Sequence, residues 1–176
     1  YGKNPPSTPE NGTQITITDN AGSPNALVLT TSNSTAVNSS TAASATAGTI
    51  GTVGMTTAGK AARALWLAVN DAIANHSFAA TIFPSTADAA EARGYVTITQ
   101  ANVGAAGNKN ITTNVASLQS PTSFQCGYDA GDHPKVLLRW RPVLATVGTV
   151  SNVLPSATTT MRIIKHGLKV GDKISF

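Results

Sequence analysis

The sequence predicts an α+β domain that is mainly β: an antiparallel sheet with one packed helix over about 58–76 and a β segment at the C-terminal end. Three observations predict it. Stretches such as TQITITD (13–19) and GYVTITQ (94–100) alternate polar and apolar residues in the period-two pattern of half-buried strands. Residues 58–76 carry apolar side chains at helical spacing. Bulk is scarce, with four Phe, two Trp, three Tyr and two Met in 176 residues, so the core is thin and built from Val, Ile, Leu and Ala.

Taken in order, residues 1–12 hold three prolines, Pro5, Pro6 and Pro9, and no apolar periodicity, which reads as an extended N-terminal arm. Strand TQITITD places Ile15 and Ile17 on one side, NAGSPN turns the chain, and ALVLTTS (26–32) completes a hairpin. Residues 33–57 are rich in Ser, Thr, Ala and Gly and read as a long loop or edge excursion, with weak strand potential around 49–55. Thr57 is placed to cap the helix, whose stripe is Leu65, Val69 and Ile73 with Ala62, Trp66 and Ala72; it should pack on one face of a sheet. FAATIFPS (78–85) and GYVTITQ read as a second hairpin-like pair, joined by a connection holding Asp88, Glu91 and Arg93. Residues 110–118 suggest another strand, and residues 119–134 a loop punctuated by Pro and Gly. KVLLRW, MRII and KISF supply strands beyond it. The expected organisation is an arm (1–12), a strand–helix–strand module (13–118) and a basic C-terminal β segment (119–176).

Charge is sparse and uneven. Charged residues make up 11% of the chain, against about 25% in an ordinary soluble domain. Thr, Ser, Asn and Gly must cover the surface instead, which suits extracellular or particle-borne β proteins whose neighbouring copies bury much of it. Between residues 20 and 59 there is no charge at all, whereas residues 133–176 carry seven Lys or Arg and one acid, Asp172. That end can meet an acidic partner. Nucleic acid is not expected, because stacking aromatics and a glycine-flanked RNA motif are missing; alternating Arg139 and Arg141 read as the solvent face of a strand.

Catalytic and metal chemistry find little purchase. The single cysteine, Cys126, rules out an internal disulfide and reads as a small buried apolar residue. His76, His133 and His166 form no metal-binding spacing, and there is no GxSxG elbow. Gly104 and Gly107 do not open a helix after a strand and make no dinucleotide loop. Five Asn-x-Ser/Thr triplets, at Asn11, Asn33, Asn38, Asn75 and Asn110, read as chance in so Ser/Thr-rich a chain. No apolar run approaches the roughly 20 residues of a membrane span, and no signal peptide is visible. The chain opens on Tyr1 and ends on KISF, which reads as processing or as part of a longer polypeptide. The expectation is a non-enzyme with no cofactor and no metal.

The order TQITITDNAGS, then AARALWLAVNDAIANHSFAATI, then GYVTITQANVGAAGNKNIT resembles a module of tailed-bacteriophage virion proteins. Separately, KHGLKVGDKISF resembles a hairpin of phage tail and fibre proteins. Together they cover about two thirds of the chain. The strand ALVLTTS lacks the module's aromatic residue, and the connection 84–93 is longer and more charged than its usual turn. The resemblance implies a structural component of the virion exterior, a head decoration or a tail or fibre subunit. It would act through contacts with other copies and other virion proteins, with no catalysis. The expected assembly contacts are Pro5, Pro6 and Pro9 of the arm and Arg139, Arg141 and Arg162 of the basic end. The alternative is an adhesin module for a host surface or carbohydrate, in which Trp140, between two arginines, stacks on a sugar ring.

Overall fold

The computed structural model describes Pro9 and residues 11–120, 122–127 and 131–140. Its elements in chain order are β1 (Gln14–Thr18), β2 (Ala26–Ala36), β3 (Thr41–Ser44), β4 (Ala47–Val53), α1 (Ala58–Asn75), β5 (Ala80–Phe83), α2 (Ala87–Arg93), β6 (Tyr95–Gln100), β7 (Ile111–Thr113), β8 (Leu118–Gln119) and β9 (Lys135–Trp140). The fold is mixed and mainly β, as its alternating strands predict. It has two sheets, one ordered β3-β4-β2-β1-β7 and the other β5-β6-β9-β8.

β1 and β2 form the expected antiparallel hairpin, with Ile15 opposite Leu29 and Ile17 opposite Leu27, all four fully buried. Of the two readings of residues 33–57, the edge excursion is found and the long loop is not: β3 is the edge strand of the first sheet, and the strand potential around 49–55 falls in β4. These residues hold the end of β2, a 3-10 turn at Val37–Ser39, and β3 and β4. β4 runs parallel to β2 and antiparallel to β3, so it is inserted between them. Glycine makes the insertion possible: a β-carbon on Gly51 would stand 2.1 Å from the Ala36 carbonyl oxygen. The residues that look like loop composition are those that let a middle strand fit.

The helix forms where predicted. The Thr57 hydroxyl accepts from the Lys60 amide, and Ala61, Ala64, Leu65, Ala68, Val69 and Ala72 are buried. Its buried surface is wider than the predicted stripe, because α1 touches β3 and β4 of the first sheet and β5, β6 and β9 of the second. It does not pack on one sheet alone. Alanine on several sides lets both sheets approach it, while Ile73 is only partly buried against the core.

The connection between β5 and β6 contains a second helix, α2, capped by Thr86, whose hydroxyl accepts from the Ala89 amide. Arg63 of α1 pairs with Asp88 and, at 3.5 Å, with Glu91. Trp66 Nε1 donates to the Pro84 carbonyl at 2.6 Å, which fixes the chain after β5.

β9 alters the expected organisation. It pairs with β6 on one side and β8 on the other, so the proposed break near residue 119 does not separate two units. All described residues fall in the compact unit Tyr1–Val143; the second unit, Leu144–Phe176, with MRII and KISF, lies outside them.

Candidate functional site

Three of the stretches that carry the resemblance meet in one polar joint. At the end of β1, Asp19 is fully buried. Its carboxylate accepts from the backbone amides of Asn25 at 2.8 Å, Ala79 at 2.9 Å and Ala21 at 3.2 Å. It therefore closes the β1–β2 turn and ties that turn to the entry of β5. A buried carboxylate satisfied by several N–H donors is a structural anchor.

Beside it, Asn20 and Asn102 pair reciprocally. Asn20 Nδ2 donates to the Asn102 carbonyl at 2.8 Å, the Asn102 amide to Asn20 Oδ1 at 3.1 Å, and Asn102 Nδ2 to the Asn20 carbonyl at 2.5 Å. Gln100, 1% exposed, donates from Nε2 to the Thr18 carbonyl at 2.8 Å. These bonds link the first sheet to the second across 82 residues of chain.

The glycine-rich run after β6 completes the joint. Gly104, at φ 83°, leads into a 3-10 turn, Ala105–Gly107. Gly107 lies against Asn20 and Pro134, where a β-carbon would stand 2.5 Å from Asn20 Nδ2 and 2.7 Å from Pro134 Cγ. The run is pressed between the β1–β2 turn, at Asn20, and the entry of β9, at Pro134.

An open groove of about 640 Å³ lies nearby, lined by Thr99, Cys126, Gly131, Asp132, His133 and Lys135. It gathers Cys126 and His133, seven residues apart in sequence. His133 Nδ1 lies 2.9 Å from the Gln100 carbonyl and must donate to it, because a carbonyl only accepts. One face of the imidazole's chemistry is thus a structural tie. Cys126 is exposed and has φ 69°; the expected buried, apolar thiol is not found. Its chain arrives from Gln125, which bridges to Lys135, and that pairing at the sheet rim turns the next side chain outward.

The outer face of the second sheet is a different kind of surface. Alternation along β9 sends Lys135, Leu137 and Arg139 outward and buries Val136, Leu138 and Trp140. Register places Phe83, Thr97 and Leu137 in one row across three strands, with Tyr95 beside Arg139 and Thr99 beside Lys135. Phe83 is 49% and Leu137 43% exposed. Arg93 sits 5.2 Å from the Phe83 ring centroid and donates to the Tyr95 hydroxyl at 3.3 Å.

The sequence-predicted site residues fare unequally against this geometry. Arg139 is exposed on the outer face, as expected. Trp140 is 2% exposed, so it is not a sugar-stacking platform; the alternation that turns Arg139 out turns Trp140 in, opposite Leu118. Pro9 is buried, so its ring is not offered to a neighbouring copy. Pro5, Pro6, Arg141 and Arg162 lie outside the described residues. Phe83 and Leu137 did not stand out in the sequence. Their signal was the alternation within each strand, but the row they form depends on which strands are neighbours.

Among the described residues no group of three or more His, Cys, Asp or Glu is placed to hold a metal ion, and no helix is long and apolar enough to cross a membrane. No family model, curated protein or solved structure matches this chain.

Proposed function

We propose that this chain is a structural subunit of the exterior of a tailed-phage particle, a head decoration or a tail or fibre component, acting through protein–protein contacts and not through catalysis. The observation that carries this reading is the fate of the resemblance-bearing motifs. TITITDN, TQAN and GAAGN converge on one buried joint whose side chains and tight glycine hold two sheets together. Such motifs build a scaffold, and they leave strand faces as the working surface. One of these carries an exposed apolar row flanked by cations, the composition of a contact patch.

The base of the arm supports the same reading. Pro9 is buried, the Gly12 amide donates to the Thr31 carbonyl at 2.9 Å, and Asn11 Oδ1 accepts from the Asn33 amide at 3.0 Å. Asn11 and Gly12 are thereby tied to β2. Sedimentation of the full chain, alone and with purified particles, tests the proposal. Assembly into larger species or stable association with particles is expected, and deletion of residues 1–12 should weaken it. A chain that stays monomeric and binds no particle overturns the reading. A glycan array on which the chain binds strongly, with binding lost in Tyr95→Ala, would favour the adhesin instead.

A further inference from the structure

We infer that the outer face of the second sheet receives an acidic protein surface belonging to a different chain, and not a second copy of this one. The inference rests on the assembly reading for the partner's being a protein. The face itself is argued from charge. Across β5, β6 and β9 the outward residues are Thr81, Phe83, Tyr95, Thr97, Thr99, Lys135, Leu137 and Arg139, and none is acidic. Arg93 adds a third cation, held by the Phe83 ring and the Tyr95 hydroxyl and, among the described residues, by no carboxylate. The result is an apolar centre, Phe83 and Leu137, rimmed by positive charge that no described carboxylate pairs.

Three candidate occupants fail on the same bookkeeping of charge. A second copy docked face to face would oppose cation to cation. A second copy docked by another described surface has few carboxylates left to offer. Among the described residues, Asp19 is buried on backbone amides, Asp71 accepts from Thr41, Ala42 and Asn75, and Asp88 and Glu91 pair with Arg63. That leaves Asp132, which lines the groove beside Lys135. The chain that follows Trp140 is itself basic, with Arg141, Arg162, Lys165, Lys169 and Lys173 against Asp172, and so does not complement the face. Nucleic acid is disfavoured because Arg93 already lies over the Phe83 ring, so the aromatic at the centre of the face is not free as a stacking platform. A carboxylate-bearing surface with an apolar centre satisfies both parts of the patch.

The test uses the full chain and poly-L-glutamate as the probe, titrated at low and at physiological salt, with a single-stranded oligothymidylate in parallel. Expected are polyglutamate binding that weakens with salt, and a loss of roughly tenfold in the double variant Arg93→Ala, Arg139→Ala and in Thr97→Glu. Thr97→Glu puts a carboxylate into the middle of the row. Both variants alter surface positions, and unchanged thermal unfolding confirms that they fold. The double variant Lys169→Ala, Lys173→Ala separates the face from the basic end and should retain binding. Unchanged binding in both face variants, loss only in the Lys169/Lys173 variant, or tighter binding of oligothymidylate than of polyglutamate overturns the inference. The titration needs no particle, so its failure removes the face and leaves the sedimentation test of the assembly reading intact.

Discussion

At the scale of single residues, Asp19 is the most consequential polar group described. Its carboxylate satisfies backbone amides from the β1–β2 turn and from the segment entering β5. Replacing it with alanine orphans those buried donors, so Asp19→Ala should cost about 3 kcal/mol in chemical denaturation, with Asp19→Asn retaining part of it. Gly51→Ala should cost about 2 kcal/mol, because its β-carbon meets a backbone carbonyl that cannot rotate away. Cys126 gives a direct check on exposure: a thiol reagent should modify it in the native protein without denaturant, and protection until unfolding would contradict its position. None of these three roles can be read from residue type. Asp19 precedes a turn in sequence, as many exposed aspartates do, and only the approach of Ala79 across 60 residues makes it an anchor.

At the scale of elements, α1 and its contacts govern how the two sheets share a core. Asp71 fastens the helix to the edge strand β3, accepting from the Thr41 hydroxyl at 2.5 Å and the Ala42 amide at 2.9 Å. The Thr41 hydroxyl above all, then the Asn75 amide group, hold the Asp71 carboxyl below the usual carboxylate range. The folded state therefore favours the ionised form. This contribution is fully present above the ordinary aspartate pKa and is lost as pH falls through the lowered folded value. Acid unfolding followed by circular dichroism should thus show a smaller loss of stability below pH ~4 in Asp71→Asn than in the parent chain. The span of helix α1 was legible, from the Thr57 cap to the apolar spacing, because a long periodic segment with a cap carries its own evidence. Helix α2 was not. Its seven residues, ADAAEAR, are too few to show a period, and it forms because Thr86 caps it and Arg63 of α1 receives its acids.

At the scale of the whole molecule, the decisive feature is that β9 enters the second sheet between β6 and β8 and carries Lys135, Leu137 and Arg139 to its outer face. Leu137 lies inside an apolar VLL run and reads as core in the sequence, yet the pleat turns it outward beside Thr97. The same pleat buries Trp140, and strict alternation from Arg139 is enough to foresee that. The joint of Asp19, Asn20, Gln100, Asn102 and Gly107 was legible only as turns and strand ends. Its members come from segments about 80 residues apart, and nothing local marks them as partners. By itself, the sequence determined the class of fold, the strands β1, β2, β6 and β9, the capped helix α1, and the charge-poor, hydroxyl-rich surface, because each follows from local periodicity or from composition. The tertiary structure alone decided the insertion of β4, the contact of α1 with both sheets, the buried joint, and the row of Phe83, Thr97 and Leu137. Those depend on strand order and register, and strand order is set by which faces find each other in space once the hydrophobic pattern has been met.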